Sequence, residues 1–150
     1  MWPVSAACQR VVGALPAWQA MVGPVHQMTF TRRLRGRMTA IRPGVLDAEL
    51  RGRGTRFATR LVFADEDTFR GSGTLDFGHG NSIALRSAGD GTLTRSADGR
   101  LHHGTWILSI VGGEGRYAGA SGRITSNFVL SPDGEVTDEQ VVVLFMDKEE

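Results

Sequence analysis

Apolar and polar residues alternate along most of this chain from Met28 onward, and that period of two predicts β-strands with one buried face. The stretch "MTFTRRLRGRM" places Met28, Phe30, Leu34 and Met38 on one face, with threonines and arginines on the other. The same alternation runs through "VLDAEL", "TRFATRLVF", "GSGTLDFG", "NSIALRS" and "TWILSI". The pattern therefore predicts a chain built mainly of antiparallel strands.

Short turn sequences separate these runs at close spacing. They are "RPG", "RGRG", "ADED", "GHGN", "AGDG", "SADG", "GGEG" and "SPDG", in which Gly, Asp and Asn supply the positive φ that tight turns need. Eight or nine short strands without long helices between them favour a barrel or a sandwich, and a barrel removes the exposed edges. We predict an all-β fold, a calycin-like eight-stranded antiparallel barrel, with room for side chains or one small ligand.

The first 24 residues break this pattern. Apolar residues there recur every three or four positions, which suits one face of a helix, although Pro16 would kink it. The segment lacks the basic start of a signal peptide and is too short and broken to span a bilayer. We divide the chain into a helical or irregular extension, residues 1–24, and a barrel domain, residues 25–150. The extension is either packed on the surface or disordered, or it is a lid over a cavity mouth.

The charge and cysteine content of the chain restrict its possible partners and cellular compartment. The 17 basic and 16 acidic residues leave a net charge of +1, which gives no general attraction to nucleic acid. Cys8 is the only cysteine, so no intramolecular disulfide forms, and we predict a reducing, cytoplasmic compartment. His102 and His103 are adjacent on a predicted strand and so face opposite sides. We predict no metal, no nucleic-acid partner and no membrane partner, with the strand arginines on a solvated exterior.

The glycine cluster "GGEGRYAG" superficially suggests a phosphate-binding loop. A Walker loop needs a Lys followed by Ser or Thr, and the dinucleotide fingerprint needs G-x-G-x-x-G between a strand and a helix. Neither spacing is present, and the following "SGRITSNFVL" has the pattern of a strand. We interpret the cluster as a corner: Gly112 and Gly113 break one strand, Tyr117 packs back, and small residues allow close backbone approach.

The corner also carries a resemblance. "GTWILSIVGGEGRYAGASGRI" resembles the strand–corner–strand motif of the allene oxide cyclase barrel superfamily, G-x-W-x-I-x-G-G-T-G-x-Y/F-x-G-A-x-G, which includes plant dirigent proteins and bacterial relatives. "FRGSGTLDFG" is similar to an early glycine-containing strand of that group. The likeness covers about Phe57 to Phe145, with Glu114 in place of the usual Thr and a longer strand before the corner.

The resemblance implies an eight-stranded barrel with an apolar lumen, dimeric or trimeric, and we expect a homodimer. Members of the superfamily include isomerising cyclases, proteins that steer radical coupling, and cyclases of bacterial polyketide pathways. The resemblance implies no metal and no organic cofactor. Among the polyketide cyclases an N-terminal segment caps the barrel, which favours the lid interpretation of residues 1–24.

The predicted inner face is rich in aromatic and aliphatic side chains. We expect a lumen lined by Phe30, Met38, Leu50, Phe57, Leu61, Phe63, Phe77, Trp106, Phe128 and Phe145. The predicted substrate-binding residues are Met38, Phe57, Phe77, Trp106, Ser126 and Phe128. Aromatic walls offer large rigid surface to an apolar substrate at small entropic cost. The alternative is a filled core.

Few polar residues are predicted to face inward: Arg32, Thr59, Ser126 and Glu139. Alternation with Val141 and Phe145 places Glu139 inside, where desolvation would raise the pKa of its carboxyl group and suit it to general base catalysis. Tyr117 is the second candidate catalytic residue, as a hydrogen-bond donor to a substrate carbonyl. The structural alternatives are a solvated rim charge for Glu139 and a turn-bonded tyrosine for Tyr117.

Three functions follow from these observations. The first is a cofactor-independent cyclase or isomerase that folds a flexible, apolar, polyketide-like substrate for ring closure, including [4+2] closure. The second is a non-catalytic small-molecule-binding or dirigent-like barrel. The third is a structural protein with a filled lumen. Sequence alone does not decide whether the lumen is hollow.

Overall fold

A computed structural model of the chain describes residues 25–147, and nearly all of that range is β-structure. The strands are β1 (Val25–Arg42), β2 (Val45–Gly52), β3 (Thr55–Phe63), β4 (Thr68–Gly78), β5 (Asn81–Ser87), β6 (Gly91–Arg95), β7 (His102–Glu114), β8 (Ser121–Leu130) and β9 (Glu135–Asp147). One 3-10 turn, Gly115–Tyr117, joins β7 to β8. The all-β prediction is confirmed.

Eight of these strands close into an antiparallel barrel. The order around the wall is β1, β2, β3, β4, β5, β7, β8 and β9, and β9 returns to β1 through thirteen paired residues. The extra strand, β6, pairs with the first residues of β4 and of β7, beyond the point where β5 has ended. β5 and β6 therefore share one position in the wall, and the predicted eight-stranded barrel is confirmed with one strand added.

The two ends of the barrel carry different connections. The end that holds the start of β1 and the end of β9 also holds the turns after β2, β4 and β7, and we call it the termini end. The other end, the far end, holds the turns after β1, β3 and β8 and the loop that precedes β7. Inward-facing side chains can therefore be placed along one axis, from the termini end to the far end.

Alternate residues of every long strand face inward and form one core. Its fully buried members include Leu34, Leu75, Leu108, Ile124, Val142 and Leu144. Burying each such side chain stabilises the fold by about 1.5–3 kcal/mol. On β7 the predicted inward alternation of Trp106, Leu108 and Ile110 is confirmed, because all three are buried.

The glycine cluster forms a corner between β7 and β8, but β7 does not break where the sequence suggested. The strand runs through Gly112 and Gly113 to Glu114, and only its pairing with β5 shifts by a residue there. A Cβ on Gly113 would lie 2.6 Å from the carbonyl oxygen of Ser82, so this position needs glycine for the close backbone approach. Tyr117 is buried beneath the corner, as expected.

Candidate functional site

Four polar side chains lie side by side on the inner wall of three adjacent strands. Asp138 and Gln140 are on β9, Ser126 is on β8 and Arg32 is on β1, and we call these four residues the polar stripe. The strand register sets Gln140 directly opposite both Arg32 and Ser126. Asp138, Gln140 and Ser126 are at most 1% exposed, so three members of the stripe have lost contact with solvent.

Asp138 is the buried carboxyl group of the stripe. The Ser126 hydroxyl donates a hydrogen bond to its Oδ1 at 2.7 Å, and the Gln140 amide nitrogen donates one to its Oδ2 at 2.9 Å. Burial raises the pKa of Asp138 from 3.8 to about 6, against the two hydrogen bonds, which favour the charged form. The carboxyl group can therefore exchange a proton near neutral pH.

A small cavity lies beside Asp138, on its far-end side. Its lining comprises Met38, Ala48, Leu50, Phe57, Thr59, Leu61, Trp106, Phe128, Val136 and Asp138. The volume is about 10 Å³, which is at the lower limit for one water molecule. Thr59 adds little polarity, because its hydroxyl donates to the Ser72 carbonyl at 2.6 Å. At this level the lumen is almost filled by side chains.

Aromatic rings fill the barrel between this cavity and the far end. Phe69 packs against Trp106 and Phe63, with ring centroids 5.2 Å apart in each case, and against Phe128 at 6.1 Å. Glycines on the neighbouring strands make room for these rings: a Cβ on Gly104 would overlap the Phe128 ring. The rings therefore take the volume that a wider lumen would leave empty.

Phe63, Phe69, Trp106 and Phe128 together form what we call the ring cluster. An open cleft of about 480 Å³ lies at the far end, outside this cluster. Leu46, Phe63 and Leu93 give it an apolar floor, and Asp65 and Glu66 stand at its edge. Its volume falls in the range of about 300–1,000 Å³ that is typical of small-molecule sites. Because Phe63 both lines the cleft and packs on Phe69, the ring cluster connects the cleft with the cavity beside Asp138.

The termini end carries a second aromatic group. Phe77 packs on Tyr117 at 4.9 Å and edge-on to Phe30 at 6.4 Å. The Arg32 guanidinium lies over the Phe30 ring, 4.7 Å from its centroid. Phe30 and Phe77 are only half-buried, so these rings lie near the surface at this end of the barrel.

Most of the predicted substrate-binding residues do come together. Met38, Phe57, Trp106 and Phe128 line the cavity beside Asp138, and Ser126 is bonded to that carboxyl group. Phe77 and Tyr117 lie instead at the termini end, in contact with each other. The polar residues predicted inside include three that face inward, Arg32, Thr59 and Ser126.

The inward placement of Glu139 is wrong. Its side chain is 57% exposed on the outer wall, and the Arg33 guanidinium lies 2.7 Å from its carboxylate. Phe145 is likewise on the outer face. The run "VVVLFM" is apolar at both parities, so alternation did not decide which face of β9 is buried. Pairing with β1 and β8 decides it, and it turns Asp138 and Gln140 inward, two residues that the sequence interpretation missed.

The outer wall of β1 to β4 carries the predicted arginines, interleaved with acidic residues in an open groove of about 730 Å³. Arg60 makes a two-point contact with Asp47, at 2.7 and 3.0 Å, and Arg56 and Arg51 both bond Glu49. Exposed pairs of this kind contribute about 0–1 kcal/mol each. The surface is therefore mixed in charge rather than uniformly basic.

Residues 25–147 contain neither a candidate metal site nor a membrane-spanning helix. No group of His, Cys, Asp and Glu in that range has a geometry that could hold a metal ion. No helix in the same range is long and apolar enough to cross a membrane. The predicted extension or lid, residues 1–24, lies outside the described residues.

Comparisons with known proteins bear on the fold. No protein-family model matches the sequence, and no curated protein matches it either. The structure is similar to that of the pterocarpan synthase dirigent protein GePTS1, with a TM-score of 0.59, 13% identity, and coverage of 84% of this chain and 88% of that one. For the pterocarpan synthase dirigent protein PsPTS1 the TM-score is 0.61 and the identity 12%, over 83% and 97%. At this identity the likeness shows the fold alone: the chain forms a dirigent-like barrel.

Proposed function

We propose that this protein binds an apolar small molecule through the far end of the barrel, and that Asp138 acts on it as general acid or base. The activity would be a cofactor-independent cyclisation or isomerisation of a flexible, polyketide-like chain. The observation that carries the proposal is Asp138 itself, a carboxyl group buried in a mostly apolar lumen with a pKa of about 6. Perturbed carboxyl groups beside apolar pockets are concentrated at functional sites.

Two contributions to the rate are available in such a site. A positioned general acid or base typically supplies about 10²–10⁴-fold, and a pKa near the working pH makes it most effective. Holding a flexible chain in a reactive conformation supplies on the order of 7–11 kcal/mol in well-oriented systems. The far-end cleft is where the apolar body of the ligand would be held, and Asp138 would serve its polar end.

The ligand reaches Asp138 only if the ring cluster opens. The cavity of about 10 Å³ does not admit a functional group larger than water. Met38 and Phe128 both line it, and Met38 is half-buried, unbranched and therefore able to adopt several rotamers. We propose that these two side chains turn aside when the ligand enters from the cleft.

The test compares Asp138→Asn with Glu139→Gln, a substitution on the outer face of the same strand. Each protein is incubated with linear dienes and trienes that carry a carbonyl group, and products of unchanged mass are quantified by liquid chromatography and mass spectrometry. We expect Asp138→Asn to slow conversion by about 10²–10⁴-fold, and Glu139→Gln to leave it near the wild-type rate. Equal rates for wild type and Asp138→Asn would overturn the acid–base role.

The second candidate function is a non-catalytic binding barrel. Both oxygens of Asp138 already accept hydrogen bonds, and the cavity beside it is small, which favours a ligand held in the cleft without reaction. In that case the same compounds would bind but would be recovered unchanged. Binding would be detected by quenching of Trp106 fluorescence in a Trp2→Phe, Trp18→Phe background, which removes the other two tryptophans. Variants at Asp138 would then leave binding unaltered.

We also propose that the protein forms a homodimer through the outer face of β7 and β9. Four exposed apolar side chains support this: Ile107, Val111, Val141 and Phe145. Thr125 on β8 lies between Ile107 and Val141 in the strand register, so a small uncharged side chain separates the apolar positions of β7 and β9 there. Grouped exposed apolar residues of this kind mark interaction surfaces more often than single ones.

A further inference from the structure

Two polar atoms at the termini-end side of the stripe have no hydrogen-bond partner among the described residues. They are Nε of Arg32, a donor, and Oε1 of Gln140, an acceptor, and both atoms are buried. Buried polar atoms in folded proteins are nearly always paired, with protein, water or a ligand. An unpaired donor beside an unpaired acceptor therefore indicates a position where one ligand group could pair with both atoms.

The two atoms belong to neighbouring side chains. Arg32 and Gln140 are directly opposite each other in the pairing of β1 with β9, and both face inward. The Cβ atoms of such cross-strand pairs are about 4.5–5.5 Å apart. One small group above the stripe can therefore reach both side chains at once.

Each side chain is held by other contacts, so the two do not satisfy one another. Gln140 donates its amide nitrogen to Oδ2 of Asp138, which turns Oε1 away from that carboxyl group. The Arg32 guanidinium is stacked over the Phe30 ring, and its Nη1 donates to the Thr31 carbonyl at 3.3 Å. The donor and the acceptor therefore remain unpaired and buried on two directly opposed side chains.

We propose that Arg32 and Gln140 bind one neutral ligand group that accepts a hydrogen bond from Nε and donates one to Oε1, namely a hydroxyl or a primary carboxamide. A carboxylate would satisfy Arg32 but would place a second acceptor against Gln140 and negative charge near Asp138. An ammonium group would satisfy Gln140 but would be repelled by Arg32. A hydroxyl satisfies both with one oxygen atom, and a carboxamide does so with its oxygen and nitrogen.

The rest of the ligand is apolar. Above the stripe, towards the termini end, the next inward side chains on the same strands are Phe30, Ile124 and Val142. Phe77 packs edge-on to Phe30, and Met28 and Met146 are half-buried beyond them. This subsite is separate from the far-end cleft, and the Asp138–Gln140 hydrogen bond lies between the two. It does not depend on the proposed catalytic role of Asp138.

The test uses four unbranched probes of six carbon atoms each: hexan-1-ol, hexanamide, hexanoate and hexylamine. Binding is followed by NMR on the full-length protein, through the Arg32 Nε–H and the Gln140 side-chain resonances. We expect the alcohol and the amide to shift both signals and to bind about tenfold or more tightly than the two ions. The proposal would be overturned if hexanoate bound most tightly of the four probes. It would also be overturned if no probe shifted the Arg32 signal, which is the result expected if only water pairs with the two atoms.

Substitutions on the two faces of β1 and β9 show whether Arg32 and Gln140 themselves select the ligand group. Gln140→Met keeps the side-chain length and removes the acceptor, and Arg32→Met keeps an unbranched apolar stem and removes the donor. Each should abolish the preference for alcohol and amide over the ions. Arg33→Met, on the outer face of the same strand as Arg32, is the matched control and should leave the order of probes unchanged. If Arg33→Met weakens binding equally, recognition is not made by the polar stripe. If Arg32→Met or Gln140→Met does not fold, the order in which the wild-type protein binds the four probes still tests the proposal.

Discussion

Replacing Asp138 with Asn tests whether the burial of this carboxyl group lowers the free energy of unfolding of the barrel. The two side chains have nearly the same shape, and the amide oxygen can still accept the hydrogen bond from Ser126. Asp138→Asn removes the charge and puts an NH2 group in place of Oδ2, to which Gln140 can present its amide oxygen instead of its nitrogen. The consequence is a change in stability whose size and pH dependence both follow from the raised pKa of Asp138.

The magnitude comes from the difference between the folded and the unfolded chain. Burial raises the pKa of Asp138 from 3.8 to about 6 in the folded protein. At about 1.4 kcal/mol for each pKa unit, this difference corresponds to about 3 kcal/mol. That is a large share of the roughly 5–15 kcal/mol by which domains of this kind are stable.

The sign follows from which state binds the proton more tightly. Between pH 3.8 and about 6 the folded protein keeps the proton that the unfolded chain has already released, so wild-type stability falls as the pH rises through that window. The Asp138→Asn variant has no such carboxyl group. We therefore expect the two proteins to be about equally stable below pH 4, and the variant to be about 3 kcal/mol more stable at pH 7.

The assay is urea denaturation of both proteins at half-unit pH intervals, with the free energy of unfolding extrapolated to water. Carboxyl groups with lowered pKa, such as those of Asp47 and Glu49, lose their favourable contacts in acid in both proteins, so the difference between the curves isolates Asp138. Glu139→Gln is the control and should differ from wild type by less than about 1 kcal/mol at every pH, because its ion pair is exposed. A difference that does not grow between pH 4 and pH 7 would refute a raised pKa at Asp138.

Two further substitutions probe packing and association. Gly104→Ala would place a Cβ against the Phe128 ring, and we expect it to lower the free energy of unfolding in urea by about 1–3 kcal/mol. Thr105→Ala, at an exposed neighbouring position, should change that free energy by less than about 0.5 kcal/mol. Similar effects for both substitutions would contradict the tight fit of the Phe128 ring. Val141→Lys should shift sedimentation from dimer to monomer, and Val62→Lys, at an equally exposed site on β3, should not; dimers that survive Val141→Lys would rule out the β7–β9 face.

The candidate site shows where prediction from sequence stopped. The walls were predictable, because Phe57, Trp106 and Phe128 lie on strands in which the inward parity is the more apolar of the two. The acid was not, because β9 is apolar at both parities from Val141 onward. A shift of one residue moves every side chain of a strand to the other face. The sequence interpretation therefore placed Glu139 inside the barrel, where the structure has Asp138.

The sequence by itself determined the strands and the turns between them, since a period of two and glycine-rich turns are local properties that do not depend on neighbouring strands. Closure into a barrel depends on the long-range pairing of β1 with β9. Tertiary structure decided which face of β9 is buried, through its pairing with β1 more than a hundred residues away along the chain. It also decided that the lumen is nearly full, because the aromatic rings enter space that glycines on other strands leave open. The raised pKa of Asp138 is a property of this packing alone, since only the assembled wall removes the carboxyl group from water.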